Sequence, residues 1–230
     1  MSSSFRSLPQ GDPVGVIALQ GGYDRHREML SRLGAASRPV RNPGDMAGLA
    51  GLIIPGGEST TIGMLMERFG LLGEIRNSAR RGLPLMGTCA GAILLAKTIE
   101  DSNQPRLGLM DITLRRNAYG RQIESFEAPL GGPLSEFRSS AFPSSVATLP
   151  HHHPLVGVFI RAPRIIAQGP QVETLAFLES SSREGSPQEE AVAVRQGNLL
   201  ALSFHPELTE DTRVHELFLE VCQKAASCVA

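Results

Sequence analysis

The sequence has no tryptophan, two tyrosines and three cysteines, and its charges nearly cancel, with 22 Lys and Arg against 23 Asp and Glu. Each shortage excludes a class of protein. Cys89, Cys222 and Cys228 are too few and too odd in number for a disulfide framework, which favours a reducing, cytoplasmic setting. A net charge of −1 leaves no basic excess for gripping phosphate backbones, so no nucleic-acid partner is expected. No window of about 18 uncharged apolar residues occurs, so no membrane-spanning helix is expected. Residues 1–12 lack an apolar stretch and read as a loosely attached polar extension, not a secretory signal.

Glycine and proline, by contrast, are plentiful, at 24 and 16 residues, and lie between apolar runs instead of clustering. That spacing implies many tight turns between buried elements. With 41% apolar residues the 230-residue chain can build a substantial core, and residues 13–230 are expected to form one domain.

The first half alternates strands with helices. Val14–Leu19 and Leu52–Pro55 are apolar runs closed by glycine pairs, as expected of strands buried on both faces. Tyr23–Leu33, with Met29, Leu30 and Leu33 on one face, Ser59–Phe69, opened by hydroxyls able to cap it, and Leu71–Arg81 have helical spacing. Leu83–Thr88, then Cys89, then a helix over Ala90–Lys97 repeat the unit. Such alternation predicts an α/β protein with a mainly parallel, doubly wound sheet. The second half reads as strands with few helices, hence mixed additions to the sheet. Residues 131–154, ending in His151–His153 and Pro154, read as a surface insertion, and Ser180–Glu190 as a polar loop. An amphipathic helix over Asp211–Lys224 closes the chain.

Three segments carry chemistry. In Gly87-Thr88-Cys89-Ala90-Gly91 a cysteine stands between a buried strand and a helix, flanked by small residues that permit a sharp turn. A helix N-terminus there favours a thiolate, and the Ala90 N–H faces the place where an oxyanion develops. The bland alternative is a small buried cysteine behind a glycine-rich turn. In Ser203-Phe204-His205-Pro206-Glu207 a strand delivers His205 at its carboxyl end, with Glu207 able to orient it. The alternative is a surface histidine beside a solvated glutamate. In Pro55-Gly56-Gly57-Glu58-Ser59 the glycine pair lets backbone N–H groups approach a ligand, with Gly57 as the second oxyanion donor beside Ala90. A plain glycine-rich turn is the commoner origin of such a pair.

Together, P-G-G-E-S, G-T-C-A-G and F-H-P-E resemble the class I glutamine amidotransferases. Leu19-Gln20-Gly21, Arg116-Asn117-Ala118-Tyr119-Gly120-Arg121-Gln122 and Phe159-Ile160-Arg161-Ala162-Pro163 narrow the resemblance to the PdxT/SNO family, glutaminase subunits of pyridoxal 5′-phosphate synthase. The resemblance implies a flavodoxin-like three-layer sandwich with a mixed, mainly parallel sheet. It implies hydrolysis of L-glutamine to L-glutamate and ammonia by a Cys89, His205 and Glu207 triad, with Gly57 and Ala90 as oxyanion hole. Gly56, Glu58, Ser59, Arg116, Ile160 and Arg161 match the family's glutamine-binding positions. Neither metal nor organic cofactor is implied. The partner implied is the (β/α)₈ synthase subunit, which would receive the ammonia. In the family a glutamate precedes the histidine at position 26, in a helix turned toward that partner, whereas this chain has Arg25. The competing readings are a glutaminase feeding a different synthase, or a non-catalytic scaffold that kept the fold. A cysteine stress sensor of similar architecture would not need His205-x-Glu207.

Overall fold

The computed structural model describes residues 11–116, 118, 125–139, 153–181 and 187–227. Strand β1 (Val14–Ile17) leads through helix α1 (Tyr23–Arg32) to β2 (Ser37–Val40), then to β3 (Gly51–Ile54). Helices α2 (Ser59–Arg68) and α3 (Leu71–Arg80) precede β4 (Leu85–Thr88), and a short α4 (Ala90–Leu95) follows it. Next come β5 (Ala96–Ile99), β6 (Met110–Arg115), β7 (Ser125–Leu130), the single turn α5 (Pro133–Glu136), β8 (Leu155–Ile160) and β9 (Arg164–Gln168). The chain ends with β10 (Glu173–Ser181), β11 (Pro187–Gln196), β12 (Leu199–Leu202) and α6 (Arg213–Ser227).

Seven strands form the central sheet, in the order β10-β11-β12-β4-β3-β1-β2. The five from β12 to β2 are parallel, and β11 and β10 extend the β12 edge antiparallel. The parallel part has the doubly wound order in which the chain reverses direction between β1 and β3. Ligands in such sheets bind at the carboxyl ends of the strands beside that reversal.

Alternation along the strands builds the three layers. Leu52 and Ile54 of β3 face one side with Ile17, Leu85 and Ala201, against Ile62 and Met66 of α2 and Leu71 and Ile75 of α3. Ile53 faces the other side with Val14, Val16, Met86 and Leu200, against Leu30 of α1 and Val214, Phe218 and Leu219 of α6. Both faces are covered, which is why these strands read as unbroken apolar runs. Among the described residues no helix is long and apolar enough to cross a membrane.

Four local expectations are corrected. The helix after Cys89 stops at Leu95, where Ala96 turns extended (φ −62°, ψ 140°), and Ala96–Ile99 pairs in parallel with β6. Lys97 and Thr98 are exposed on that strand, so pairing overrides a sequence pattern that continues the helix. The polar segment Ser180–Glu190 is partly strand, because β10 and β11 form a long antiparallel hairpin reaching Ser181 and Pro187. A strand over Arg164–Gln168, unmarked by its sequence, pairs with β6. Finally, α2 is capped by the carboxylate of Glu58, which accepts from the N–H groups of Thr60 and Thr61. Ser59, Thr60 and Thr61 are the first residues of the helix itself. Of the expected insertion, residues 140–152 lie outside the described residues, whereas Leu134 of α5 is buried in the core.

Candidate active site

Cys89 occupies a sharp turn between β4 and α4, with φ 49° and ψ −104°. A non-glycine residue held at positive φ costs energy that surrounding packing must supply. Here two glycines make the turn possible. A Cβ on Gly87 would come within 2.5 Å of the Gly91 carbonyl carbon, and one on Gly91 within 2.8 Å of the Ile54 carbonyl carbon. The turn is pinned to the neighbouring strand by the Cys89 N–H, which donates to the Leu202 carbonyl at 2.8 Å. Position 89 is 7% exposed, and its sulfur lies 3.9 Å from the Ile160 carbonyl oxygen.

His205 follows β12, the strand paired with β4, so the two strand ends bring ring and sulfur together. Its N–H donates to the Val158 carbonyl at 2.8 Å, tying it to β8, and the ring hydrogen-bonds the Cys89 sulfur. On its other side, Nδ1 lies 2.7 Å from Glu207 Oε1. The 3₁₀ turn Pro206–Leu208 doubles the chain back and buries the Glu207 side chain to 2% exposure. Cysteine, imidazole and carboxylate thus form one continuous line.

The electrostatics follow from that line. Burial opposes a charge on the His205 ring, but the bond to Cys89, the bond to Glu207 and the charges of both raise it from 6.5 to about 10. Burial likewise pushes the Glu207 carboxyl upward, yet the His26 and His205 rings outweigh it and hold the group below the ordinary carboxylate range.

The glycine loop after β3 closes the site. Gly56 is buried beneath the His205 ring, and its carbonyl accepts from the Gly22 N–H at 3.2 Å. Gly57 lies against Gln20, whose Oε1 accepts from the Glu58 N–H at 2.8 Å. Ala90, 1% exposed, is the first residue of α4 and belongs to the helix turn whose N–H groups have no intrahelical acceptor.

The remaining expected residues surround this core. Arg116 Nη2 reaches Glu58 Oε1 at 3.2 Å, while Nη1 donates to Gln104 Oε1 at 2.8 Å and Thr60 Oγ1 at 3.1 Å. Burial raises the Glu58 carboxyl, but bonds from Thr61 and Thr60 more than compensate and leave it lowered. Ser59 is buried with its hydroxyl directed at Gln104, so it faces the Arg116 cluster. Ile160, 37% exposed, ends β8 beside the sulfur. Arg161 follows with its side chain exposed and its backbone at φ 44°, so two of the three described non-glycine residues at positive φ are Cys89 and Arg161. Residues 117 and 119–122 of the arginine motif, together with His151, His152 and Cys228, lie outside the described residues. Among those described, no group of three His, Cys, Asp or Glu could hold a metal ion.

Sequence reasoning missed His26, His215, Thr88, Gln20 and Gln104 as participants. His26 was placed on a partner-facing helix, yet it is fully buried behind Glu207. The signal was present: positions 26, 29 and 30 of α1 and Leu33 just after it share one face, and the last three are core residues.

With the geometry established, resemblance to known proteins is specific. The SNO glutamine amidotransferase family matches residues 16–224. The chain is 48% identical over 207 residues to a pyridoxal 5′-phosphate synthase subunit PdxT of Desulforudis audaxviator, covering 90% of this chain and 97% of that one. It is 51% identical over 209 residues to the PdxT subunit of Herpetosiphon aurantiacus, covering 90% and 98%. A crystal structure of a glutamine amidotransferase superposes with TM-score 0.75 at 46% identity, covering 91% of this chain and 98% of that chain. The PurLQS structure from Thermotoga maritima shares the fold alone, at 17% identity and TM-score 0.63. By sequence over nearly its whole length and by fold, this chain belongs to the SNO glutamine amidotransferase family.

Proposed function

We propose that this chain hydrolyses L-glutamine to L-glutamate and ammonia, and delivers the ammonia to a (β/α)₈ pyridoxal 5′-phosphate synthase subunit in the cytoplasm. The observation that carries the reading is the continuous line from the Cys89 sulfur through His205 to the buried Glu207 carboxylate. The cysteine attacks the carboxamide carbon as a thiolate, and the developing oxyanion is met by the N–H groups of Gly57 and Ala90. The His205 imidazolium then gives its Nε2 proton to the departing nitrogen, which leaves as ammonia and leaves a γ-glutamyl thioester. Neutral His205 takes a proton from water, hydroxide attacks the thioester, and glutamate leaves as the thiolate is restored. Glu207 holds the ring throughout.

Glu58, Ser59, Arg116, Ile160 and Arg161 are assigned to glutamine. A zwitterionic substrate needs a cation for its α-carboxylate and acceptors for its α-ammonium, and the Arg116–Glu58 pair with the Ile160 carbonyl supplies both kinds of group. No cofactor enters the reaction. Free ammonia is mostly protonated near neutral pH and then no nucleophile, so a sheltered transfer to a docked synthase accounts for the reaction's use. PdxT relatives named as synthase subunits support that partner.

The test is glutamate release with and without the synthase subunit, for wild type and Cys89→Ala. Feeble turnover alone, a rise on adding the synthase and none in the folded Cys89→Ala variant are expected. Retained turnover in Cys89→Ala would overturn the nucleophile, and equal rates with and without the synthase would overturn the partner.

A further inference from the structure

Behind the triad the line continues into the core. His26 Nε2 lies 3.4 Å from Glu207 Oε2 and 3.2 Å from Thr88 Oγ1, and His26 Nδ1 lies 3.0 Å from His215 Nε2. Both histidines are fully buried, and their rings are 5.3 Å apart between centroids. Burying two imidazoles costs free energy that apolar side chains would not, so their presence calls for a reason.

We propose that His26 and His215 are positioning residues for the glutaminase reaction, His215 fixing the tautomer of His26 so that its Nε2–H steadies the inner oxygen of Glu207 while the outer oxygen holds His205. The inference rests on the glutaminase reading given above and extends it to residues that never touch glutamine.

One arrangement of protons suits the geometry better than the other. Were His26 protonated at Nδ1, its bare Nε2 could accept from the Thr88 hydroxyl at 3.2 Å but would also turn its lone pair toward the buried Glu207 carboxylate at 3.4 Å. His215 would then accept from His26 and carry its own proton on Nδ1, a buried atom with no hydrogen-bond partner among the described residues. With the proton on Nε2 instead, the His26 N–H lies between Thr88 Oγ1 and Glu207 Oε2 with its positive end toward the carboxylate, and its Nδ1 accepts from His215. Glu207 Oε2 is itself buried with no hydrogen-bond partner among the described residues, so the His26 nitrogen 3.4 Å away is the polar group placed to compensate it.

Burial keeps both rings neutral. Burial lowers His26 foremost, against the Glu207 charge and with the His205 charge. Burial also dominates at His215, joined by His26 and by Arg32 at the end of α1 and opposed by Glu207, which brings it to about 3. A neutral donor next to an ionised carboxylate is stable; a second imidazolium behind His205 is not.

The experiment compares His26→Leu with His26→Gln in the complete synthase complex. His26→Leu removes the donor, whereas a glutamine amide reaches nearly the position of Nε2. Expected for His26→Leu is a kcat about 10–100-fold lower with KM within about twofold, the cost usual for losing the partner that orients a functional histidine. The His205 ring should also titrate nearer its ordinary value by NMR, and His26→Gln should restore both. Unchanged kcat in folded His26→Leu, or a loss that His26→Gln does not repair, overturns the proposal. Should His26→Leu fail to fold, nitrogen-15 spectra of the wild-type protein decide. His26 protonated at Nε2, with nitrogen–nitrogen coupling to His215, supports it, and His26 protonated at Nδ1 refutes it. A wild-type complex that releases no glutamate sinks the glutaminase reading instead, and leaves the tautomer spectra to judge the His26–His215 pair by itself.

Discussion

The His205 ring rests directly on the α-carbon of Gly56. A methyl group there would collide with Cε1 and approach Nδ1 to 2.9 Å and Nε2 to 3.3 Å. The loop that carries Gly57 thereby also sets the height of the His205 ring above the sheet, through the neighbouring glycine.

Gly56→Ala should accordingly push the ring away from Cys89 while leaving the sheet intact. A displacement of about 1 Å typically costs about 10²-fold in rate. Steady-state kinetics should show that loss chiefly in kcat, with the far-ultraviolet circular dichroism of the wild type. Full activity in the folded variant would mean that the ring is placed by Glu207 and Val158 alone.

The thiols should differ sharply toward iodoacetamide. Cys222 is 4% exposed in α6, and burial pushes its thiol up to about 12, leaving almost no thiolate at neutral pH. Peptide mapping after brief treatment at pH 8 should find Cys89 modified and Cys222 modified about 10³-fold more slowly than an ordinary thiol. Early modification of Cys222 would show that α6 opens readily from the sheet.

Stability should fall on both sides of neutrality for different reasons. His205 binds its proton to about pH 10 when folded but to 6.5 when unfolded, so the stability it adds is complete below 6.5 and vanishes as pH rises through 10. His215 is displaced the other way, to about 3, so the unfolded chain takes up a proton that the folded one refuses as pH falls below 6.5. Thermal melts should show Tm declining in both directions. In Cys89→Ala the alkaline decline should be shallower, since the sulfur contributes to the rise at His205, with the acid limb unaltered. An alkaline limb equally steep in both proteins would remove Cys89 from that account.

How much of this was legible in the chain depends on the range of the physics. Buried runs such as Leu52–Ile54 announce themselves because a strand covered on both faces must be apolar throughout, and glycines mark where it ends. Cys89, His205 and Glu207 stand out because each follows such a strand end. Ala96–Ile99 misled, since an alanine and a lysine after an apolar helix continue it as naturally as they begin a strand. Only the pairing of Ala96 with Met110 settles it. Likewise Ser180–Glu190 is polar enough for a loop, and becomes partly strand because each of β10 and β11 supplies the other's hydrogen bonds.

By itself, then, the sequence determined the alternating architecture, the three segments that carry the candidate site and the family, because local periodicity and short spacings are written along the chain. The tertiary structure alone decided what stands behind Glu207. His26 and His215 are 189 positions apart, and nothing near either one in sequence names the other. Their meeting is produced by α1 and α6 packing on the same face of the sheet, and the choice of tautomer matters to the carboxylate because both rings are closed to solvent.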